Sequence, residues 1–147
     1  MKIQIDQSGK LEMTKRHTVI AFSNGINFTA IISAKDKKYL QSIFRKAGTP
    51  KIFIYKTFAV IIYIITRKYI KKIDEIAIDI EYPGYNKLIK QLIIEIFKKN
   101  KIEFDINIIY FKEVGKLSNA HKIAISSYRN KKADMKISAK DILKIML

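Results

Sequence analysis

Residues 76–84 read IAIDIEYPG, a pattern that predicts a buried strand ending in acidic side chains. Apolar residues stand on both sides of Asp79, which is typical of a central strand covered on both faces. Asp79 and Glu81 point to the same side, because residues two apart share one face of a strand. A Tyr-Pro-Gly sequence then ends the strand, and a strongly periodic helix follows. Charge at the end of a buried strand requires a partner such as a metal ion, so this stretch is either a functional site or a pair of solvated surface acids.

The composition indicates one domain, residues 1–147, with a polyanionic partner. The 147-residue chain is 48% hydrophobic, which is enough for a packed core. Lys and Arg number 29 against 13 Asp and Glu, a formal net charge of +16. This excess favours nucleic acid as the partner and, less strongly, an anionic membrane surface. Lys- and Ile-rich chains also arise from AT-rich genomes and hot habitats.

The residue types that are missing restrict the chemistry and the compartment. The chain has no cysteine, which excludes a disulfide framework, a thiol nucleophile and a cysteine zinc site. No signal peptide is visible, because Met1 leads directly into an alternating strand pattern. We therefore expect a cytoplasmic protein.

One apolar stretch, residues 52–70, raises the question of a membrane. Lys56 and Arg67 interrupt it, and the uncharged part, residues 57–66, covers about 10 residues against the roughly 20 needed to span a bilayer. We expect a buried element and no membrane partner. The β-branched residues favour a strand, but the length of the run favours a helix, and we predict a helix within residues 51–72.

The order of elements predicts an α/β fold. Alternation and the Asn24-Gly25 turn indicate three antiparallel strands at residues 2–6, 17–24 and 26–34. The remaining patterns predict helices within 35–47 and 51–72, a strand at 74–82, a helix at 85–99, a strand at 104–111, a helix after the cap Ser118 and a last helix from about Ser138. Strand–helix–strand crossovers require parallel pairing, so we expect a mixed five-stranded sheet with helices on its faces.

This order resembles the ribonuclease H-like fold, which includes ribonucleases H, Holliday-junction resolvases, transposases, the UvrC nuclease domain and the Argonaute/Piwi nuclease domain. The resemblance covers nearly the whole chain, with one extra helix before residue 50. In that fold an acid ends the first strand, here Asp6, and another ends the adjacent fourth strand, here Asp79 with Glu81 as companion or substitute. A further ligand begins the last conserved helix, here His121 in LSNAHKIAISSYR, which looks like the Argonaute/Piwi helix.

The resemblance implies a nuclease with a two-metal-type mechanism. In such enzymes Mg²⁺ or Mn²⁺ ions about 3.5–4 Å apart activate a water molecule and stabilise the leaving oxygen of a phosphodiester. Hard cations of this kind prefer carboxylate oxygens. Asp6 and Asp79 are expected to hold the metal, with Glu81 assisting and His121 completing the site.

Other acids compete for these roles. Glu12 lies shortly after the first strand and is a candidate additional acid. Asp134 is an alternative helix ligand, but it follows His121 by 134 − 121 = 13 positions, or about 20 Å along a continuous helix, so both cannot serve one site. Ribonuclease H proper has a Glu on its first helix, whereas the first two predicted helices here offer only Asp36.

Basic residues near the expected site predict contacts with DNA or RNA phosphates, which would make binding salt-dependent. They lie near the first turn and around the start of the helix that carries His121: Lys10, Lys15, Arg16, Lys112, Lys116 and Lys122. A homodimer is an open alternative, because resolvase-like members often act as dimers.

Two rival functions remain open at this point. The first is a non-catalytic nucleic-acid-binding protein that keeps the fold. The second is a small-molecule α/β enzyme, which is disfavoured because the chain has no GxGxxG motif, Walker-type loop or nucleophile elbow.

Overall fold

The computed structural model describes residues 1–146 as a six-stranded mixed sheet packed between helices. The strands are Lys2–Ser8 (β1), Thr18–Ser23 (β2), Phe28–Ile32 (β3), Glu75–Asp79 (β4), Ile109–Lys112 (β5) and Met135–Ile137 (β6). The helices are Ala34–Lys46 (α1), Phe53–Thr66 (α2), Asn86–Lys99 (α3), Asn119–Asn130 (α4) and Ala139–Met146 (α5). Within these described residues, every helix is too short or too polar to cross a bilayer.

The sheet has the strand order β5-β4-β1-β2-β3-β6. Strands β1, β2 and β3 form an antiparallel meander, as predicted, while β4 pairs in parallel with β1 and β5 pairs in parallel with β4. The α/β class is therefore confirmed, together with the parallel pairing of the later strands.

The expected number of five strands is wrong, because β6 adds a sixth strand parallel to β3 at the sheet edge. It has only three residues, too few to show an alternating pattern. The expected strands at 74–82 and 104–111 are also shorter: β4 ends at Asp79 and leaves Glu81 in the segment that follows, and residues 106–108 form a 3₁₀ turn before β5 begins at Ile109. The Asp105 carboxylate starts that turn by accepting a hydrogen bond from the Asn107 amide at 3.0 Å.

The apolar stretch within residues 51–72 forms helix α2, as predicted, with a 3₁₀ turn at each end. Every side chain from residue 57 to residue 66 is buried, because α2 packs against α1, α3, α5 and β3. A helix surrounded in this way is apolar on all sides. Tertiary packing thus outweighs the strand preference of its β-branched residues.

The two faces of the sheet have different roles. On one face Ile3, Ile5, Ile76 and Ile78 join the main core with α2. On the other face α4 crosses β1 and β2. Because successive side chains alternate between faces, Asp6 points towards α4. A one-residue slip of β1 would reverse every side chain, so burial of the isoleucines fixes the position of this acid.

Candidate metal centre

Three carboxylates converge where β1 and β4 end. Ile5 pairs with Ile78 in the parallel register, which brings the next residues, Asp6 and Asp79, side by side. Glu81 follows two positions later, and one oxygen from each of the three carboxylates lies within 4.8 Å of the others. Asp6 is only 5% exposed, and the other two acids are half-buried. The three predicted carboxylates therefore form one cluster.

Backbone amides hold two of these carboxylates in place. Asp6 Oδ1 accepts a hydrogen bond from the Gln7 amide at 2.8 Å. Asp79 Oδ1 accepts one from the Val114 amide at 2.8 Å. The Glu81 segment is fastened from the opposite face of the sheet, where Gln7 Nε2 donates to the Tyr82 hydroxyl at 3.0 Å. Two of the three acids, Asp6 and Asp79, thus lie on strands, and Glu81 lies in the segment that follows β4.

Two of the three carboxylates, Asp6 and Glu81, resist ionisation. Burial raises the pKa of Asp6, although hydrogen bonds from the Gln7 amide and His121 act in the opposite direction. Burial also raises the pKa of Glu81 to about 9, and its proximity to Asp79 and Asp6 adds to this effect. Oxygen donors that repel one another suit a hard divalent cation such as Mg²⁺ or Mn²⁺, so the side chains fit the expected ion.

His121 reaches this cluster from the first turn of α4. The Ser118 hydroxyl caps the helix by accepting a hydrogen bond from the His121 amide at 3.1 Å. The ring nitrogen Nδ1 of His121 lies 2.8 Å from Asp6 Oδ2. Among the described residues the potential metal-ligand group comprises the three carboxylates, and His121 contacts it through Asp6. In this geometry His121 orients Asp6, while direct metal ligation stays a prediction.

The two alternative acids lie elsewhere. Glu12 is exposed, and its charge acts on Tyr82 and Lys37, not on the cluster. Asp134 precedes β6, and its carboxylate accepts hydrogen bonds from the amide and hydroxyl of Thr29 at 2.9 and 3.2 Å. Asp134 therefore joins two strands and has no place in the cluster.

The predicted phosphate contacts are exposed side chains, at positions 10, 112, 116 and 122. Lys112 is the β5 register partner of Asp79, whereas Lys116 and Lys122 flank the start of α4. The ion pairs recorded within residues 1–146 involve none of Lys10, Lys112, Lys116 or Lys122. Their charges are therefore available to a ligand.

Sequence reasoning missed the part played by Lys37. This α1 side chain is fully buried, and its ammonium group donates to the carbonyls of Lys10 and Met13 and to the Thr18 hydroxyl at 3.1, 2.7 and 2.9 Å. It fastens the loop that follows β1 beside the cluster. Lys37 stands in a run of similar lysines, KDKK, so no local signal distinguishes it.

Comparison with known proteins identifies no relative: no protein-family model, no curated protein and no solved structure matches the chain.

Proposed function

We propose that this protein is a metal-dependent nuclease with a ribonuclease H-like fold, which hydrolyses phosphodiester bonds in DNA or RNA. The observation that carries the proposal is the cluster of Asp6, Asp79 and Glu81, in which one oxygen of each carboxylate lies within 4.8 Å of the others, beside the neighbouring parallel strands β1 and β4. Three carboxylates at this spacing supply the hard oxygen donors that divalent cations prefer, which supports the proposal.

The arrangement of strands supports the same proposal. The resemblance implies a fourth strand next to the first, and the pairing of β4 with β1 beside the antiparallel meander β1–β3 supports it. The additional strand β6 lies at the far edge, next to β3. It leaves the ends of β1 and β4 unchanged.

The side chains of the cluster would have different roles in binding a cation. When bound, Mg²⁺ or Mn²⁺ would activate a water molecule and stabilise charge on the leaving oxygen. Asp6 and Asp79 would supply ligand oxygens, and His121 orients Asp6 through its 2.8 Å contact. Glu81, whose pKa is raised to about 9, holds a proton at neutral pH that a cation would displace.

The surroundings of the cluster suit a phosphodiester substrate. The first backbone amides of α4 favour phosphate, and the exposed Lys112, Lys116 and Lys122 lie near that helix start. The formal net charge of +16 favours a polyanion over a neutral substrate.

One observation favours a second candidate, a nucleic-acid-binding protein without catalysis. Within residues 1–146 the cluster has three carboxylates and no fourth. The acid of α1, Asp36, is engaged elsewhere, because its carboxylate accepts hydrogen bonds from the Ser33 hydroxyl at 2.7 Å and the Ala139 amide at 3.1 Å. A sparse ligand set is compatible with binding that no longer leads to cleavage.

A cleavage assay distinguishes these functions. Labelled single-stranded, duplex, hybrid and branched DNA and RNA are incubated with the protein in Mg²⁺, Mn²⁺ or EDTA, beside Asp6→Asn, Asp79→Asn and the control Glu103→Gln. Glu103 is exposed and lies outside the cluster.

We expect metal-dependent cleavage by the wild type and the control, and a loss of at least about 100-fold in both Asp variants, comparable to removing a charge-stabilising group from an active site. Intact substrates in every condition, with retarded bands at low salt, would favour the binding protein. Undiminished cleavage by both folded Asp variants would remove the cluster from the mechanism.

A further inference from the structure

A second concave site lies on the face of the sheet that α4 covers. It is a cleft of about 810 Å³ between the end of α4, the ends of β3 and β6, and the segment that leads into β2. We call it the basic cleft, because five of its lining residues are cationic: Lys15, Arg16, Arg129, Lys131 and Lys136. Its volume is that of a small-ligand pocket.

The basic cleft has an excess of positive charge. Its five cations face one carboxylate of the lining, Asp36, which accepts hydrogen bonds from the Ser33 hydroxyl and the Ala139 amide. The ion pairs recorded for the described chain involve none of the five cations. Like charges gathered in a concave surface repel one another and attract an anion.

The walls of the basic cleft are ordered and partly apolar. The His17 ring stacks on the Tyr128 ring with centroids 4.3 Å apart, and His17 Nε2 lies 2.7 Å from the Tyr128 carbonyl oxygen. A Cβ at Gly9 would come within 2.6 Å of the Tyr128 ring, so the loop packs tightly on α4. Ile31 and Ile137 complete the lining. Apolar walls surrounded by cations suit a nucleotide, which has both an apolar base and a phosphate.

Helix α4 connects the basic cleft with the carboxylate cluster. His121 in its first turn contacts Asp6, and Tyr128 is 128 − 121 = 7 positions further along the same helix, a rise of about 10 Å. The carboxyl ends of strands β1, β3, β4 and β6 all lie at the same end of the sheet, because β3 runs parallel to β1 across the antiparallel β2. The carboxylate cluster and the basic cleft therefore lie at the same end of the sheet and on the same face, the one that α4 covers.

We propose that the basic cleft binds phosphates of a single nucleic-acid strand, whose continuation reaches the carboxylate cluster. This inference rests on the proposed function for the placement of the strand. The volume of about 810 Å³ fits a nucleotide unit of one strand, and the cations of the cleft are available to its phosphates.

The test compares two matched double variants. Lys15→Gln/Lys136→Gln removes two exposed lysines from the basic cleft, and Lys71→Gln/Lys98→Gln removes two from a separate groove lined by Ile94 and Phe104. Fluorescence anisotropy in EDTA measures the binding of a labelled single-stranded oligonucleotide over a range of salt concentrations. Thermal melts verify that both variants fold.

We expect the basic-cleft variant to lose about tenfold in affinity at low salt, and its slope of log K against log salt to become shallower by about 1.4, the value for two lost phosphate contacts on a single strand. The groove variant should retain most of the affinity and the slope. Equal losses in both variants would show a general effect of net charge and overturn the proposal.

Competition and cleavage separate the remaining outcomes. If AMP or inorganic phosphate displaces the oligonucleotide at equal phosphate concentration, the cleft is a small-anion site and the strand proposal is overturned. Because EDTA prevents metal-dependent cleavage, loss of binding in the basic-cleft variant supports the cleft independently of the nuclease. If the basic-cleft variant binds the oligonucleotide with unchanged affinity in the anisotropy experiment and still cuts in the cleavage assay, the cleft proposal is overturned and the nuclease proposal stands.

Discussion

Replacing Glu81 with Gln is expected to stabilise the protein when no divalent cation is present. Burial and the neighbouring Asp79 and Asp6 raise the pKa of Glu81 to about 9, against its ordinary 4.5. The folded protein therefore holds a proton on Glu81 at neutral pH, which the unfolded chain releases. Gln has the shape of the protonated carboxyl group and does not have this proton to lose.

The size of the effect follows from the two pKa values. A raised folded-state pKa contributes stability that is complete below pH 4.5 and is lost as pH rises towards 9. At pH 7 the loss spans 7 − 4.5 = 2.5 pH units, or about 3.4 kcal/mol at roughly 1.4 kcal/mol per unit. Because Glu81 is only half-buried, solvent screening reduces our expectation to about 1–2 kcal/mol.

Urea unfolding in EDTA at pH 5 and pH 7.5 measures this difference, with Glu103→Gln as the control for a surface Glu. We expect Glu81→Gln to exceed the wild type by about 1–2 kcal/mol at pH 7.5, and by much less at pH 5. Adding Mn²⁺ should stabilise the wild type more than the variant, because a ligand oxygen is lost. A variant no more stable than the wild type at pH 7.5 would refute the reasoning.

Three further predictions concern the surroundings of the site. Burial lowers the pKa of Lys37 from 10.5 to about 8. Between these pH values the folded state binds fewer protons than the unfolded state, so the free energy of unfolding should rise with pH from about 8 to 10. Urea unfolding should show this rise in the wild type and not in Lys37→Met, and parallel curves for the two proteins would contradict the prediction. Gly9 and Gly48 both have φ of +78°, but a Cβ would clash only at Gly9, with the Tyr128 ring and the His17 carbonyl. Thermal melts should therefore show that Gly9→Ala loses about 1–3 kcal/mol more stability than Gly48→Ala. Equal losses of stability would show that the loop moves freely. Ser118→Ala removes the cap of α4 and should cost about 1 kcal/mol in urea unfolding, whereas an unchanged free energy would show that the cap is replaced by water.

The main features of the sheet are predictable because they depend on local patterns. Alternation at residues 2–6 defines β1, and a buried run with a crossover helix on each side requires β4 and β5 to be parallel. Strand β6 was missed because its pairing with β3 joins residues about 100 positions apart, and a three-residue segment has no period of its own. The length of the apolar run identified α2 where its β-branched composition pointed to a strand.

The carboxylate cluster was predictable to the level of residues but not of contacts. The parallel register places Asp6 beside Asp79, whereas Glu81 reaches the cluster from the segment after β4, which the sequence pattern had assigned to the strand. The sequence predicted His121 as a metal ligand, but it did not predict the hydrogen bond between His121 and Asp6. That contact depends on how α4 lies across the sheet, which no local sequence pattern determines. The basic cleft likewise combines side chains from four separate stretches of the chain.

The most direct test of the metal centre is to locate Mn²⁺ by anomalous diffraction in crystals of the wild type and of Asp79→Asn. We predict a strong peak at about 2.0–2.6 Å from oxygens of Asp6, Asp79 and Glu81 in the wild type, and its loss or marked weakening in the variant. Crystals that contain Mn²⁺ elsewhere but show no peak among these three carboxylates would contradict the account.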